Sequence, residues 1–433
     1  MDGLPSEEEP MVQVPRAARL SHLDGARTLL SIWIVCHHMA PREPASSLDA
    51  MLVRVDVGVE FFMMMSGFLT QHLFGQKEGI GSSAGSLASF YTRRLFRCLL
   101  VAYLGMGLCA LLQWLIGLQL LSWKTAGCFA FVKTWVDPMP DCPNMPSWFV
   151  AALLPSWLLY PFVLHPLLAE SAGKGFSFYL WLSLLCWLLA IGPQLCLMSR
   201  NVGWLDWEQF KYVWFWPPAQ MPDFALGACI AALVRVAPPS RTAGRLGDLV
   251  ISTLVLVCLV APVPEPPADW TGPSDWRLGH YIAWEQLAAR LSAPLLGFFL
   301  YCSAGGESVV ARLLSHGTLV SLGNYTLEIY LLQMPLHDVF LWLRPPGGSG
   351  LWKGLPWNRE VFGFFLTVLV LLCGLFVEFV AEPLNQSVKT CTSSWAGHTL
   401  PELLRSTRRR YQPLSAERDS ESEADSSLGL PSK

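Results

Sequence analysis

Apolar runs long enough to cross a hydrocarbon core follow one another along almost the whole chain. They fall at about 22–40, 57–75, 95–120, 147–168, 176–198, 217–237, 247–263, 282–303, 317–342 and 359–381. A transmembrane helix needs roughly 20 predominantly apolar residues. The expected fold is therefore all-α, a polytopic membrane bundle of about ten transmembrane helices. Composition agrees: only 15% of the 433 residues are charged and 52% are hydrophobic, with 19 Trp. Soluble domains carry about 25% charge.

The sixth run is interrupted by "WPPAQMPDFALG", where Pro217, Pro218 and Pro222 must break or kink the backbone. Such a break is tolerable only where protein or a cavity surrounds it. Basic residues set the orientation. With a cytoplasmic N-terminus, Arg16, Arg19, Lys77, Arg93, Arg94, Arg97, Lys174, Arg235, Arg241, Arg245, Arg312 and the basic residues of the tail share one side. Arg42, Arg54, Lys124, Lys133, Arg200, Lys211, Arg277 and Arg344 share the other. The bias is roughly two to one and favours both termini inside. Three regions follow: a polar cytoplasmic segment (1–20), a transmembrane domain (21–386), and a tail (387–433) that is basic, then Ser- and acid-rich and disordered.

The net charge of −3 argues against a nucleic-acid partner, and "MDGLPSEEEP" is too acidic and polar for a cleavable signal peptide. Twelve cysteines include no CxxC pair or other metal spacing, so no metal is expected. Most of them lie in apolar runs and read as small buried hydrophobes. Cys128 and Cys142 share a polar loop and could pair if that loop is extracytoplasmic.

Residues with chemistry concentrate near the start. In "LDGARTLLSIWIVCHHMA", Arg27 and His38 are eleven residues apart. On a helix that is about 16 Å of rise and nearly the same azimuth. One face then carries a guanidinium near the inner surface and an imidazole about half a membrane deeper, while His37 points a quarter-turn away. A shared task needs an elongated ligand between them. The plainer alternative is that Arg27 snorkels to headgroups and His38 hydrogen-bonds a neighbouring helix. "SFYTRRLFR" brings Arg93, Arg94 and Arg97 towards one side of the third span, where guanidinium forks suit phosphate oxygens. "VGVEFFMMMSGFLT" adds Glu60, Ser66 and Gly67, the last two best suited to close helix packing. Asp223 and Glu328 either line an acceptor path or are neutralised by polar neighbours. Glu285 and Arg290, five apart, are expected to find partners on other helices.

Taken together these segments resemble the acyltransferase-3 family. Its LDGLR-type opening with arginine-x10-histidine is met by "LDGAR", Arg27 and His38; its GVDxFFxLSGF by "GVEFFMMMSGF"; its FYxRRxxR by "FYTRRLFR". "PSWFVAALLPSWLLYPFVLHP", "MPDFALGACIA", "LVSLGNYTLEIYLLQMPL" and "VEFVAEPLN" are similar to its later elements in the same order, over about residues 20–386. Departures are Gln220 where the family commonly has arginine, Gln333 where it commonly has a late histidine, Asn324 in place of serine, and no acidic residue in the middle of "PSWFVAALLPSWLLYPFVLHP".

The resemblance implies a membrane O-acyltransferase that moves an acyl group, often acetyl, from cytoplasmic acyl-CoA to a hydroxyl. The acceptor would be an extracytoplasmic or membrane molecule such as a carbohydrate or lipid. It implies His38 as general base, Arg27 beside the pantetheine arm, and Glu60 as a secondary catalytic candidate that orients His38, pairs with Arg27 or faces lumenal water. Arg93, Arg94 and Arg97, with Ser66, would hold the acyl-CoA. The host would be the plasma membrane or an endomembrane, with lipids as neighbours. The competing readings are a polytopic transporter and a catalytically inactive family member.

Overall fold

The computed structural model describes residues 19–41, 47–76, 80–81, 83–115, 123–138, 142–169, 174–200, 205, 207–261, 282–305, 307–342 and 357–392. The expectations for the N-terminal segment, the loop at 262–281 and the tail beyond Thr392 lie outside these. The described residues are helical and hold no strand. The first half of the chain gives α1 (Ser21–Met39), α2 (Ser47–Val53), α3 (Asp56–Phe74), α4 (Ala84–Leu115), α5 (Trp123–Phe129), α6 (Lys133–Val136), α7 (Ser147–Leu159) and α8 (Leu164–Leu168). The second half gives α9 (Phe176–Arg200), α10 (Trp207–Trp214), α11 (Pro217–Val236), α12 (Ala243–Val260), α13 (Ile282–Ser303), α14 (Val309–Leu314), α15 (Gly317–Leu322), α16 (Thr326–Trp342) and α17 (Arg359–Phe376).

Each of the ten apolar runs holds helix. Five helical segments are long and apolar enough to cross a membrane: Ala84–Leu115, Phe176–Arg200, Glu208–Val236, Ala243–Val260 and Arg359–Thr392. Helices α1, α3, α13 and α16 are more polar. They carry Asp24 and Arg27, Asp56 and Glu60, Glu285 and Arg290, and Glu328 and Asp338, respectively. Four of the five apolar segments also sit apart from the polar helices, while Glu208–Val236 is mostly buried. The apolar windows of α4, α9, α12 and α17 are mostly exposed on the outside of the bundle, whereas most of α3 is buried. Ionisable groups at bilayer depth are tolerated only when they face protein or a cavity, and this layering achieves that.

Helix α1 is polar along its length because it is stitched to the α14–α16 segment. Ser21 Oγ donates to Ser315 Oγ (3.0 Å), Thr28 Oγ1 to the Leu319 carbonyl (2.7 Å) and Ser31 Oγ to the Thr326 carbonyl (3.3 Å). The two strips of chain therefore run side by side in the same direction. At the far end, Trp357 Nε1 donates to the Met39 carbonyl (2.7 Å). In the centre, α3 and α11 meet backbone to backbone: a Cβ on Gly67 would run into the Phe224 carbonyl, and one on Gly227 into the Met64 carbonyl. The small-residue role expected of Gly67 is thus observed, with Gly227 as its counterpart.

The proline-rich interruption is a true break. Helix α10 ends at Trp214, Trp216 is extended, and Pro217 opens α11 at its first position, where a missing N–H costs nothing. Freed carbonyls are satisfied by buried side chains. Arg290 Nη2 donates to Val213 (3.0 Å) and Ala219 (3.2 Å), and Gln220 Nε2 to Trp214 (2.6 Å). A second irregularity is a π-turn at Val377–Ala381, just ahead of Pro383, whose ring nitrogen cannot donate back into the ladder.

The bundle has two distinct ends. One, the basic end, holds the start of α1, the start of α4 and the ends of α3, α7 and α11. Described chain begins here and also finishes here, where Thr392 meets Thr92 (3.4 Å). The other end holds the Cys128–Cys142 disulfide, with Cα atoms 5.6 Å apart. Just after it, the buried Asn144 donates from Nδ2 to the Leu331 carbonyl (2.8 Å) against Gly105, pinning this loop between α4 and α16.

Candidate active site

The imidazole of His38 sits in the last turn of α1, half-buried, facing α16. Its Nδ1 lies 3.1 Å from Gln333 Oε1. Gln333 is fully buried, and its Nε2 donates to the Tyr330 carbonyl (2.8 Å), which fixes the amide's orientation. An amide oxygen only accepts, so Nδ1 is the nitrogen that carries the proton and Nε2 is the basic one. The glutamine that departs from the family's histidine therefore sets the tautomer of His38. The adjacent His37 turns elsewhere: its Nδ1 lies 2.6 Å from the Leu52 carbonyl, and the two rings are 5.4 Å apart, edge to face. The expected separation of the two neighbours is what the helix produces.

At the basic end the arginines are sorted by their partners. Arg27 is half-buried, 3.6 Å from Asp24, and also faces Arg97 and Glu328. Arg97 forks onto the fully buried Glu328, with Nε to Oε1 at 2.7 Å and Nη2 to Oε2 at 2.8 Å. Its Nη2 also donates to the Asn324 carbonyl, and Glu382 stands nearby. Glu328 is thereby neutralised rather than left lining a path. Arg94, one turn earlier on α4, is different. Its Nε and Nη2 are buried and have no hydrogen-bond partner among the described residues. It lies over the Phe74 ring (5.2 Å) and faces Tyr160 and Arg27. Arg93 is exposed at the rim.

Glu60 is fully buried, away from water, and its charged neighbours are Asp223, Arg290 and Asp56 rather than His38 or Arg27. Arg290 Nη1 binds Asp223 Oδ2 at 2.7 Å and the guanidinium lies over Trp214 (5.6 Å). Glu285 pairs with Arg54 (3.5 Å). Arg290 thus finds its expected partner on another helix, α11, whereas the partner of Glu285 lies in the turn between α2 and α3. These groups form a second polar cluster, joining α3, α11 and α13 behind the helix break. Ser66 is half-buried beside the Gly67 seam, where its carbonyl accepts from Thr70 Oγ1 (2.6 Å).

Sequence reasoning passed over Gln71, Tyr160 and Asn144, and read Arg235 only as part of the orientation bias. The signal for the first and third was available, since a buried amide in an apolar bundle demands a partner. Arg235 and Tyr160 look like ordinary helix-end residues until the fold brings them to Arg94. Among the described residues, no group of three or more His, Cys, Asp or Glu is placed to hold a metal ion.

A search of curated proteins and a search of solved structures gave no match to this chain. A family model described as an acyltransferase domain matches residues 20–377, from the start of α1 to the π-turn. The matched stretch contains His38, Gln333, Arg27, Arg93, Arg94 and Arg97, and on it the chain belongs to the acyltransferase-3 family.

Proposed function

We propose that this protein is a multi-pass membrane O-acyltransferase with ten spans and both termini in the cytoplasm. It takes an acyl group, acetyl in the simplest case, from cytoplasmic acyl-CoA and passes it to a hydroxyl of a carbohydrate or lipid at the opposite side. The observation that carries this reading is the pairing of His38 Nδ1 with Gln333 Oε1, which leaves Nε2 basic. The unpartnered guanidinium nitrogens of Arg94 at the basic end supply a complementary anion site.

The donor enters at the basic end. Its phosphates meet Arg94, with Arg27 further in and Arg93 adding field at the rim; Arg97 acts mainly by bracing α4 against α16 through Glu328. Arg27 to His38 is eleven residues, about 16 Å along α1, a span that a pantetheine arm covers. At its end the acceptor O–H gives its proton to His38 Nε2 while the oxygen attacks the thioester carbonyl. The C–S bond then breaks, and the departing thiolate takes the proton back from the imidazolium. Gln333 accepts from Nδ1–H throughout, holding the ring and stabilising its charged form.

Assigning the basic end to the cytoplasm places the disulfide outside, the compartment in which disulfides persist. The test is to incubate purified protein with labelled acetyl-CoA and a mixture of hydroxyl acceptors. The expected result is CoA release coupled to acylated product, lost in a His38→Ala protein that melts like the wild type. Transfer at the normal rate by that variant would remove His38 from the chemistry, and substrate movement without CoA release would favour a transporter.

A further inference from the structure

A group of hydrogen-bond donors converges at the basic end, around the Tyr160 hydroxyl. Gln71, near the end of α3, is fully buried; its Oε1 accepts from the Tyr160 hydroxyl (2.6 Å), and its Nε2 has no partner among the described residues. Arg94 contributes Nε and Nη2 in the same condition. Arg235, in the last turn of α11, brings a second guanidinium: it and Arg94 both face the Tyr160 hydroxyl.

Gly75 makes the room. A Cβ there would stand 2.8 Å from Arg235 Nη1 and 2.5 Å from Gln71 Nε2, so the two donors are neighbours over a bare glycine. A buried donor without an acceptor is costly, of order 1–3 kcal/mol, and more when charged. Helices α3 and α4 present such donors here, and α7 and α11 bring Tyr160 and Arg235 beside them.

We propose that Arg94, Arg235 and the Gln71 amide form a subsite for a phosphomonoester. Two guanidiniums match a monoester, which carries about −1.5 to −2 charges near neutral pH, better than a singly charged diester. Forked donors are suited to its oxygens. Resting on the donor assigned above, the group bound is the phosphomonoester on the ribose of CoA; the same chemistry on a lipid headgroup is the other source. Arg235 then selects the donor's nucleotide end, a task distinct from the thioester chemistry at His38.

The test measures binding, so it does not depend on turnover. Full-length protein in nanodiscs is titrated with CoA and with dephospho-CoA, which lacks only the monoester, in discs with and without phosphatidate. The wild type is expected to bind CoA about tenfold or more tightly than dephospho-CoA, a difference of about 1.4 kcal/mol. Arg235→Met should bring the two ligands level, and Arg235→Lys should keep part of the preference. Gly75→Val, which fills the cradle, should act like Arg235→Met. If phosphatidate instead raises the melting temperature of the wild type but not of Arg235→Met, and CoA and dephospho-CoA bind alike, the subsite belongs to a lipid headgroup. A wild type that neither distinguishes CoA from dephospho-CoA nor responds to phosphatidate overturns the subsite, and that comparison needs no variant. Should acyl transfer proceed normally in that case, the enzyme reading survives without it. Phosphatidate binding with no CoA binding would retain the subsite and remove the donor.

Discussion

The buried Gln333 amide decides what His38 can do. A neutral imidazole has one donor and one acceptor nitrogen, and the assignment depends on what the protein offers each. With Gln333 Oε1 at Nδ1, the proton is held on the α16 side and the lone pair on the other. Gln333→Leu should leave the fold and the donor's KM nearly unchanged while lowering kcat about 10- to 100-fold, read from steady-state acyl transfer. The arginines permit a prediction of the opposite kind. Glu328→Gln leaves a largely desolvated Arg97 without its counter-charge and should cost about 3 kcal/mol in thermal or denaturant unfolding. The double change Arg97→Met with Glu328→Leu should recover much of that loss. From the sequence, Arg27, His38 and the arginine cluster could be read as a face and a rim. Which arginine is spent on Glu328 and which is unpartnered could not, because Arg94 and Arg97 differ only in the helices opposite them. For the same reason Glu60 looked like a partner for His38 and instead lies with Asp223 and Arg290.

Among the helices, α1 illustrates why a polar segment can reside inside a membrane bundle. The hydroxyls of Thr28 and Ser31 find backbone carbonyls on the segment running beside it, so these groups are satisfied without water. The α3–α11 contact uses another route, close backbone approach at Gly67 and Gly227. Gly227→Ala should force these helices apart and lower stability by about 1–3 kcal/mol, seen as a lower melting temperature in detergent. The positions of the five segments long and apolar enough to cross a membrane were legible, since run length marks each of them. The break in "WPPAQMPDF" was legible too, because three prolines in six residues admit little else. What the sequence withheld was the satisfaction of the broken carbonyls by Arg290, a residue some 70 positions away on a different helix. The π-turn at Val377–Ala381 likewise follows from Pro383 only after the helix is seen to continue to Thr392.

Across the whole molecule, four of the five long apolar segments form the outside, α11 and the more polar helices pack inside, and the two ends differ in chemistry. One end is rich in guanidinium; the other carries a disulfide and a loop anchored by Asn144. The orientation that follows is open to a direct check. In sealed right-side-out vesicles, a membrane-impermeant reductant should open Cys128–Cys142, followed by thiol labelling and gel shift. Its closed loop of sequence separation 14 implies a loss of about 3 kcal/mol on reduction. The account as a whole stands on a slender acyl-CoA reaching from Arg94 past Arg27 to His38. The measurement that tests it most directly is a structure of the protein bound to a thioether analogue of acetyl-CoA. The account predicts the nucleotide phosphates at Arg94 and the analogue's sulfur within about 4 Å of His38 Nε2, close to the distance at which reacting groups are held. An analogue bound with its sulfur far from α1, or with the imidazole of His38 turned to the lipid, would contradict it.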